Sequence, residues 1–411
     1  MRFGRDQATL AVVPYFVAPD EMLNSEFAKS VTVRVTETMK SVHDLRVISA
    51  SSMLGMKRTM PVQEISRLVG ADYVLKGQIV RSDQELHFTH QLYDGPPGEL
   101  ITSVELSCGL GHLHGFEREV LTRVAADILL PLRETEIDRI MRKRLGNDTA
   151  YELTVKAEIA LHHLTRRQFA RAKRLLLDAQ LIDPGNAAAY AWLARYYSLR
   201  IGQGWAKDRW AEGQEALRLA SKAIAIDPEH GLALATAGHL NSYLHKNYVE
   251  GEALLRKAVE VSPNEALAHL FLSATLAYTG RARLGREHAE YALSLSPLDR
   301  CIYTFYNFAG VCCYAEEDYK AAEDYARQSL ACNPNYSTTH KVLAASLVGL
   351  GRVREAREVV QALLEIEPGY PAIAAQSIPF MEWMRNLYLR QMRTAGCFDP
   401  VGAQRVTDKM V

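Results

Sequence analysis

Two helical patterns meet in the stretch "AIAIDPEHGLALATAGHL", Ala223 to Leu240. On each side, apolar residues recur at spacings of three and four, the period of an amphipathic helix. Between them stands Asp-Pro. Proline has no amide hydrogen and clashes with the preceding helical turn, and the residue before it is pushed out of the helical conformation. The pattern therefore predicts a helix that ends at the proline and a second helix whose first turn contains it.

Similar junctions recur at regular intervals along the second half of the chain. Proline follows a helical pattern at six positions, with successive separations of 44, 35, 34, 37 and 34 residues. The six are Pro184, Pro228, Pro263, Pro297, Pro334 and Pro368. A period near 34 residues with two helices per unit is typical of tetratricopeptide arrays, in which each pair buries its apolar face only by stacking on its neighbours.

Residues 151–370 resemble the tetratricopeptide repeat family in this period and in the positions of small residues. In the third unit, Gly238 and Gly251 are expected to let the paired helices approach closely, and Leu255 to fill the gap. We predict about six units. The separation of 44 residues between Pro184 and Pro228 indicates an insertion in the second unit. It is predicted to lie in "RIGQGWAKDRWAEG", residues 200–213, and to extend one turn between helices.

The last segment, residues 371–411, is predicted to form a capping helix and a tail. A stacked array needs such an end because its last pair would otherwise expose an apolar face. In "PAIAAQSIPFMEWMRNLYLRQM", we expect Trp383, Leu387 and Met392 on the inward side of the helix.

Residues 1–131 show a different pattern. Short strand-like segments such as "TLAVVPYF", "LRVIS" and "ELHFTHQLYD" alternate with amphipathic helical stretches such as "NSEFAKSVTVRVTETMKSV". The predicted order is β-α-β-α-β-β-β-α, which favours helices packed against a mixed sheet. The predicted fold class is therefore an α/β N-terminal domain followed by an all-α solenoid.

The segments "LAVVPYF", "LRVISASS", "VQEISRLVGADYVLKGQIVR" and "LHFTHQLYD" resemble the TolB-like N-terminal domain of bacterial tetratricopeptide regulators. In those relatives, the domain and its repeats often follow an adenylate cyclase or a winged-helix DNA-binding domain. Because this chain starts at the TolB-like strand, we expect no such output domain in it. The charged stretch 132–150 is predicted to be a linker helix.

Charge and hydropathy restrict the possible partners. Lys plus Arg and Asp plus Glu both number 48. A formal net charge of zero argues against a nucleic-acid binder, which must neutralise phosphates. No apolar run reaches the roughly 20 residues of a membrane-spanning helix, and Pro14 interrupts the N-terminal apolar run, unlike in a signal peptide. We expect a cytoplasmic protein that binds no nucleic acid by itself and has no membrane span.

The sequence offers little catalytic chemistry. Its six cysteines are scattered, and we expect buried apolar residues rather than disulfides. "CGLGHLHGF", residues 108–116, misses the dinucleotide-binding glycine pattern by one position and has no further ligand pair, so a glycine-rich loop is favoured over a metal site. His163, His269 and His340 fall where the repeat places a bulky packing residue. With no Walker, zinc-protease, esterase or kinase motif, we predict no catalytic residue, metal or cofactor.

The tetratricopeptide resemblance also implies where a partner would bind. In that family the first helix of each pair lines the concave face of the superhelix. The predicted groove residues are Arg195, Thr236, Leu240, Tyr243, Leu270, Tyr278, Asn307, Val311, Tyr314 and Lys341. Because charges are few among them, we predict an amphipathic or apolar peptide segment as ligand, anchored by tyrosines 243, 278 and 314. Alternatively, these tyrosines pack against the next repeat.

Together these patterns predict a non-catalytic scaffold that binds a protein partner in bacterial signalling or transcriptional regulation. One alternative is a stand-alone regulatory subunit that acts in trans on an adenylate cyclase or a winged-helix transcription factor. Another is an enzyme with a nucleotide or metal site in the N-terminal domain. The oligomeric state stays open.

Overall fold

The computed structural model describes residues 8–17, 25–40, 42, 45–56, 59–82, 85–109, 113–142, 148–163, 165–296, 299, 301–372 and 378–398. The chain divides into two compact units, Met1–Lys156 and Ala157–Val411. The first contains a mixed sheet with helices, and the second is a helical repeat.

The first unit is built on a sheet with the strand order β3-β1-β4-β5-β6, and β2 pairs with β4. Its elements are β1 (Ala8–Val12), β2 (Phe16–Val17), α1 (Ser25–Lys40), β3 (Leu45–Val47), α2 (Ala50–Met53), α3 (Val62–Val69), β4 (Tyr73–Ser82), β5 (Glu85–Asp94), β6 (Leu100–Gly109) and α4 (Leu113–Arg142). β1 is parallel to β3 and β4, whereas β4, β5 and β6 are antiparallel neighbours. The predicted mixed sheet with helices is confirmed.

Helices cover both faces of the central strands. On one face, Leu10 and Leu75 pack with Met39 of α1 and Ile128 of α4. On the other face, a smaller cluster joins Ala11 and Val74 to helices α2 and α3. All of β1 is therefore buried, as parallel strands usually are. β5 instead alternates buried and more exposed residues over most of its length, the pattern of a strand with one covered face.

Helix α4 continues through Pro131 into the stretch that the sequence assigned to a linker. Leu132, Glu136 and Ile140 are buried, because a spacing of four places them on one face of the helix. The Glu136 carboxylate accepts hydrogen bonds from the Tyr73 hydroxyl and the Arg139 guanidinium. Residues 132–142 thus belong to the first unit, and residues 143–147 lie outside the described chain.

The repeat consists of six consecutive helix pairs in the described residues. They are α5 (Ala150–His162) with α6 (Arg166–Ile182), α7 (Ala187–Gly202) with α8 (Arg209–Ile226), α9 (Gly231–Leu240) with α10 (Tyr248–Val261), α11 (Ala266–Tyr278) with α12 (Ala282–Leu295), α13 (Ile302–Ala315) with α14 (Tyr319–Cys332), and α15 (Ser337–Gly349) with α16 (Val353–Ile366). A π-helical turn, Asn241–His245, extends α9. This region has the form of a tetratricopeptide solenoid.

The second helix of each pair ends two residues before its repeat proline. The residue next to the proline has left the helical conformation, as at Asp183 (φ −135°, ψ 95°) and Asp227 (φ −135°, ψ 100°). This confirms the predicted stop. The predicted start is wrong in one respect: α7 and α9 begin three residues after their prolines, so proline lies in the connecting turn. Polar side chains such as Asn186 then cap the next helix.

The small residues of the third pair allow its helices to touch. A Cβ atom on Gly238 would lie 2.7 Å from the carbonyl oxygen of Gly251, and one on Gly251 would lie 2.8 Å from that of Gly238. Leu255 fills the adjacent space and is fully buried. The close approach that the sequence predicted is confirmed.

The insertion in the second pair lengthens more than the turn. α7 has 16 residues and α8 has 18, compared with 13 and 14 in α11 and α12. The turn between α7 and α8 covers residues 203–208, whereas residues 279–281 suffice between α11 and α12. The prediction of a longer turn alone was therefore incomplete, because both helices absorb part of the insertion.

The terminal helix α17 (Glu382–Thr394) has a different inward face from the predicted one. Met384, Tyr388 and Met392 are buried, a spacing of four along one side of the helix. Trp383, expected inside, is 51% exposed, and Leu387 is half-buried. Met392 is the one member of the predicted set that is fully buried.

Candidate partner-binding groove

The first helices of pairs two to six converge on a narrow cavity. Its volume is about 50 Å³, which is too small for a nucleotide or a cofactor. The lining residues come from five helices and the turns beside them: Arg195, Ser198, Leu199, Gly202, Gln203, His239, Tyr243, Phe271, Tyr278, Thr304, Phe308, Val311, Tyr336 and Thr338. The concave face of the solenoid is thus mostly filled with side chains.

Contacts between distant pairs close one side of this groove. The Gln203 side chain donates a hydrogen bond of 2.9 Å to the Tyr303 hydroxyl, 100 residues further along the chain. The Thr338 hydroxyl donates to the carbonyl oxygen of Gly202 at 3.4 Å. The end of α7 in pair two therefore reaches pairs five and six, because the array curls strongly.

The C-terminal segment, residues 378–398, covers another part of the groove. The Met381 amide donates to the carbonyl oxygen of Tyr278 at 3.0 Å, and the Tyr248 hydroxyl donates to that of Pro379 at 2.7 Å. The Phe380 ring lies 5.6 Å from the Tyr278 ring and 5.8 Å from the Tyr314 ring, between centroids. The segment thus spans pairs three to five.

Helix α17 then packs on the end of the array. The Tyr314 hydroxyl donates to the side-chain oxygen of Gln391, and the hydroxyls of Tyr370 and Tyr388 are 2.7 Å apart. These aromatic residues are buried together with the apolar core of pairs three to six. The chain's own C-terminal segment is therefore an integral part of this surface.

Tyr278 and Tyr314, two of the predicted anchor residues, are covered in the structure. Both are at most 3% exposed, because Phe380 and α17 cover them. They contact the C-terminal segment in this structure, and of the two only Tyr278 also lines the cavity. This arrangement corresponds to the packing alternative, except that the covering residues come from the C-terminal segment as well as from neighbouring repeats.

Most other predicted groove residues are also buried. Arg195, Tyr243 and Val311 line the cavity, and Tyr243 is only half-buried. Four residues lie within the packed interior: Thr236, Leu240, Leu270 and Asn307. They are buried because each first helix packs against neighbours on nearly all sides, and hence the family's inward positions are not all surface positions here.

Lys341 has a structural partner. Its ammonium group forms an ion pair of 2.6 Å with Glu367, and both side chains are 12% exposed. The same ammonium lies 4.2 Å from the centroid of the Tyr370 ring. Lys341 is therefore occupied within the last pair and is no part of the cavity lining.

An alternating stack of rings and guanidinium groups runs beside the cavity. His239 stacks on Phe271 at 4.2 Å and on Tyr243 at 5.3 Å, between ring centroids. The Arg195 guanidinium lies 5.1 Å from the Phe271 centroid, and that of Arg209 lies 4.8 Å from the Tyr243 centroid. A guanidinium group placed above an aromatic ring is attracted electrostatically to the face of that ring.

The π-helical turn helps to place Tyr243 in this stack. Lys246 follows the turn with φ 55°, in the left-handed region, and its amide bonds back to the carbonyl oxygen of Asn241. Such wide turns often occur at functional sites. Here the turn brings Tyr243 one helical turn beyond His239 while Ser242 faces Gly251.

His239 is neutral in this setting. Burial, and then the charges of Arg195 and Arg209, lower the pKa of His239 to about 3. Its Nδ1 atom is buried without a hydrogen-bond partner in the described part of the chain. The imidazole therefore acts as a flat, uncharged layer in the stack.

Sequence reasoning missed several residues of this site, including Phe271, Gln203 and Tyr336. Phe271 follows the predicted position Leu270, so its inward direction depends on how far α11 rotates in the stack. Gln203 and Tyr336 lie at helix ends and meet the groove only because the array curls. An aromatic residue at a helix end, such as Tyr336, was a signal in the sequence. It can be assigned to the groove only when the curvature of the array is known.

Other predicted chemistry has mixed outcomes. His269 and His340 are buried, as expected, whereas His163, the residue after α5, is exposed. Cysteines 301, 312, 313 and 397 are buried and free, but Cys332 is exposed. Residues 110–112 of "CGLGHLHGF" lie outside the described residues.

No cluster of three or more His, Cys, Asp or Glu residues has the geometry to hold a metal ion in the parts of the chain that the structure describes. Among the described helices, none combines the length and hydropathy that a membrane crossing requires.

Comparisons with known proteins support the repeat. Residues 314–376 match the family model described as tetratricopeptide repeat. A protein named putative adenylate cyclase 3, from Rhizobium meliloti (strain 1021), is 26% identical over 233 residues, which represent 56% of this chain and 40% of that protein. The chain thus spans less than half the length of this curated relative.

Solved structures with partial similarity include three helical-repeat proteins of different activity. The type IV pilus biogenesis factor PilW has a TM-score of 0.38 at 16% identity, over 53% of this chain and 94% of its own. The APC/C hetero-tetramer Cut9-Hcn1 has a TM-score of 0.45 at 16% identity, over 66% of this chain and 49% of its own. The human IFIT1 dimer with m7Gppp-AAAA has a TM-score of 0.47 at 15% identity, over 70% of this chain and 67% of its own. At these scores the likeness assigns no ligand to this chain.

Proposed function

We propose that this chain is a non-catalytic interaction protein whose helical repeat binds a peptide segment of a protein partner. The observation that carries the proposal is the C-terminal segment seated in the groove. Residues 378–381 are held through their main chain by Tyr248 and Tyr278, and a side chain, Phe380, enters an aromatic cluster. Main-chain hydrogen bonds combined with side-chain pockets are a general means of peptide recognition.

The partner would bind next to this segment, at the mouth of the cavity. Tyr243, Gly202 and Thr338 are the half-buried lining residues there. Leu199, Phe308 and Val311 give the cavity apolar walls. A partner residue that enters would be largely removed from water, and such a site favours a compact anchor side chain.

The electrostatics of the groove support a binding role rather than catalysis. With a pKa of about 3, His239 is a poor proton acceptor at neutral pH. Burial raises the pKa of the Cys301 and Cys312 thiols, so both remain protonated and unreactive. We accordingly propose that the chain is not an enzyme.

We place this activity in bacterial signalling or transcriptional regulation in the cytoplasm, with a TolB-like first unit. The similarity to the protein named putative adenylate cyclase 3 supports this setting. It also favours a second candidate function, in which the chain regulates an adenylate cyclase, or a winged-helix transcription factor, in trans. Addition of the purified chain to a cyclase from the same organism tests this candidate: we expect a changed rate of cyclic AMP formation, and an unchanged rate contradicts it.

The interaction proposal is tested by affinity capture with matched variants. Wild type, Tyr243→Ala and Leu181→Ala are used as bait, and the captured proteins are identified by mass spectrometry. Leu181 is 81% exposed on α6 and serves as the control. We expect one partner that wild type and Leu181→Ala retain and Tyr243→Ala loses at least tenfold, with all three proteins folded. Equal capture by a folded Tyr243→Ala variant would exclude this groove.

A further inference from the structure

We propose that the cavity beside Arg195 binds a carboxylate, supplied by an acidic residue of the partner peptide. This inference rests on the proposed function and adds the chemistry of one partner group. It changes the predicted ligand, because the sequence indicated an apolar or amphipathic segment without a required charge.

Arg195 is a buried cation that has no anionic partner in the part of the chain that the structure describes. The residue is 6% exposed on α7 and lines the cavity. In the described residues its guanidinium forms no ion pair and no hydrogen bond, and its nearest characterised contact is the face of Phe271. A guanidinium carries five N–H donors, so this group retains its capacity for a planar acceptor.

Two other partly buried cations in the repeat are paired with carboxylates. Arg200, on the same helix, forms two hydrogen bonds with Glu212, and Lys341 pairs with Glu367. Arg195 has no such carboxylate among the described residues. The difference matters because a buried charge is strongly unfavourable unless an opposite charge or several hydrogen bonds compensate for it.

The residues that line the cavity add positive charge and no negative charge. None of the lining residues is Asp or Glu. Arg209, at the far end of the ring stack, forms no ion pair in the described residues, and its Nη2 atom is buried without a hydrogen-bond partner there. Both arginines act on His239, which is neutral. The lining itself thus carries a net positive charge, although the whole chain has a formal net charge of zero.

Size and geometry favour a carboxylate over larger anions. A volume of about 50 Å³ admits a carboxyl group but excludes a nucleotide. The planar guanidinium matches a carboxylate through two parallel hydrogen bonds. Ser198 and Tyr336 line the same space, and each carries a hydroxyl group of the kind that can donate a further hydrogen bond to a carboxylate.

The first test uses acetate as the probe, with the full chain. Thermal unfolding is measured in sodium acetate and in sodium chloride of equal ionic strength, for wild type, Arg195→Gln and Arg218→Gln. Arg218 is an exposed arginine on α8, paired with Glu215, and controls for loss of one charge. Acetate well above its dissociation constant is expected to raise the Tm of wild type and Arg218→Gln by about 2–4 °C.

The Arg195→Gln variant distinguishes a binding site from a packing role. It is expected to show no acetate shift, and in chloride it is expected to unfold at or above the wild-type temperature, because an uncompensated buried charge is gone. Equal acetate shifts in all three proteins, or no shift in wild type, would overturn the inference.

The second test separates a peptide source from a free acid. The partner segment that Tyr243-dependent capture identifies is synthesised with each acidic residue as Glu or Asp and as its amide. One amide replacement is expected to weaken binding to wild type at least tenfold and to leave binding to Arg195→Gln unchanged. If capture succeeds and acetate fails, the carboxylate inference is wrong and the proposed function stands. If acetate binds and no acidic peptide does, the ligand is a free carboxylic acid and the peptide source is wrong.

Discussion

The Tyr248 hydroxyl donates a hydrogen bond of 2.7 Å to the carbonyl oxygen of Pro379, 131 residues further along the chain. This contact joins the third helix pair to the C-terminal segment. Together with the bond between Met381 and Tyr278, it shows how the repeat holds an extended stretch of polypeptide by its main chain. The groove is therefore already a peptide-binding surface within its own chain.

The ring of Phe380 is expected to be the main side-chain anchor of this segment. It is 6% exposed and contacts Tyr278 and Tyr314. Phe380→Ala should cost about 3 kcal/mol locally and should lower hydrogen-exchange protection of the Met381 amide by about 100-fold. Trp383→Ala, at a position 51% exposed, serves as the control and should change protection little. Unchanged protection in Phe380→Ala would show that other contacts hold the segment.

Gly251 is expected to tolerate no side chain. A Cβ atom there would lie 2.2 Å from the Ser242 hydroxyl oxygen and 2.8 Å from the Gly238 carbonyl oxygen. Gly251→Ala should therefore destabilise the repeat by about 1–3 kcal/mol through overpacking, measured by urea unfolding. Gly369→Ala is the matched control, because no atom lies within 4 Å of its Cβ position. Equal stability of the two variants would mean that α9 and α10 separate at little cost.

His239 should make the stability of the protein depend on pH. Its folded-state pKa of about 3 lies below the unfolded value of about 6.5. As the pH falls below about 6.5, the unfolded state takes up a proton that the folded state refuses, and stability decreases by at most about 1.4 kcal/mol per pH unit.

His239→Phe keeps a flat ring in the stack and removes the titrating group. The unfolding free energy of this variant should fall less steeply between pH 6 and pH 4 than that of wild type. The other histidines are present in both proteins, so the difference between the two slopes isolates His239. Identical slopes would contradict the buried, neutral imidazole.

Lys341 should affect stability rather than binding. Lys341→Met leaves Glu367, 12% exposed, without its ion-pair partner, and should cost about 3 kcal/mol. The double variant Lys341→Met with Glu367→Met should recover much of this loss, because no unpaired charge remains. Urea unfolding of the two single variants and the double variant measures the coupling. A Lys341→Met protein that is as stable as wild type but fails to bind the partner would contradict this prediction and show that Lys341 contributes to partner binding.

The period of the prolines predicted the helix pairs well, since its physical cause is local. Proline and the residue before it disturb the helix wherever they stand, so the ends of α6 and α8 follow from the sequence. The contact of Gly238 with Gly251 was also predictable, because glycine at the position where the paired helices of a repeat cross allows their backbones to approach closely. The mixed sheet could be predicted because some strand segments alternate apolar and polar residues, as antiparallel strands with one covered face do, whereas others are apolar throughout, as buried parallel strands are.

The groove could not be predicted to the same extent, because it depends on long-range geometry. The curl of the array determines whether Gln203 reaches Tyr303, and a family position does not contain that information. The inward face of α17 was predicted with a small error in the rotation of the helix about its axis. In the structure Met384 lies on that face and Trp383 is exposed. The coverage of Tyr278 and Tyr314 by Phe380 depends on the return of the C-terminal segment, for which the sequence has no periodic signal.

The central claim is that a protein partner binds at the cavity mouth beside Tyr243. It is tested most directly by site-specific photo-cross-linking in cells, with the cross-linking residue placed at position 243 or, as control, at position 181. We predict one defined protein adduct from position 243 that position 181 does not form and that Arg195→Gln reduces. Identical adducts from both positions, or none from position 243 in a folded protein, would contradict the account.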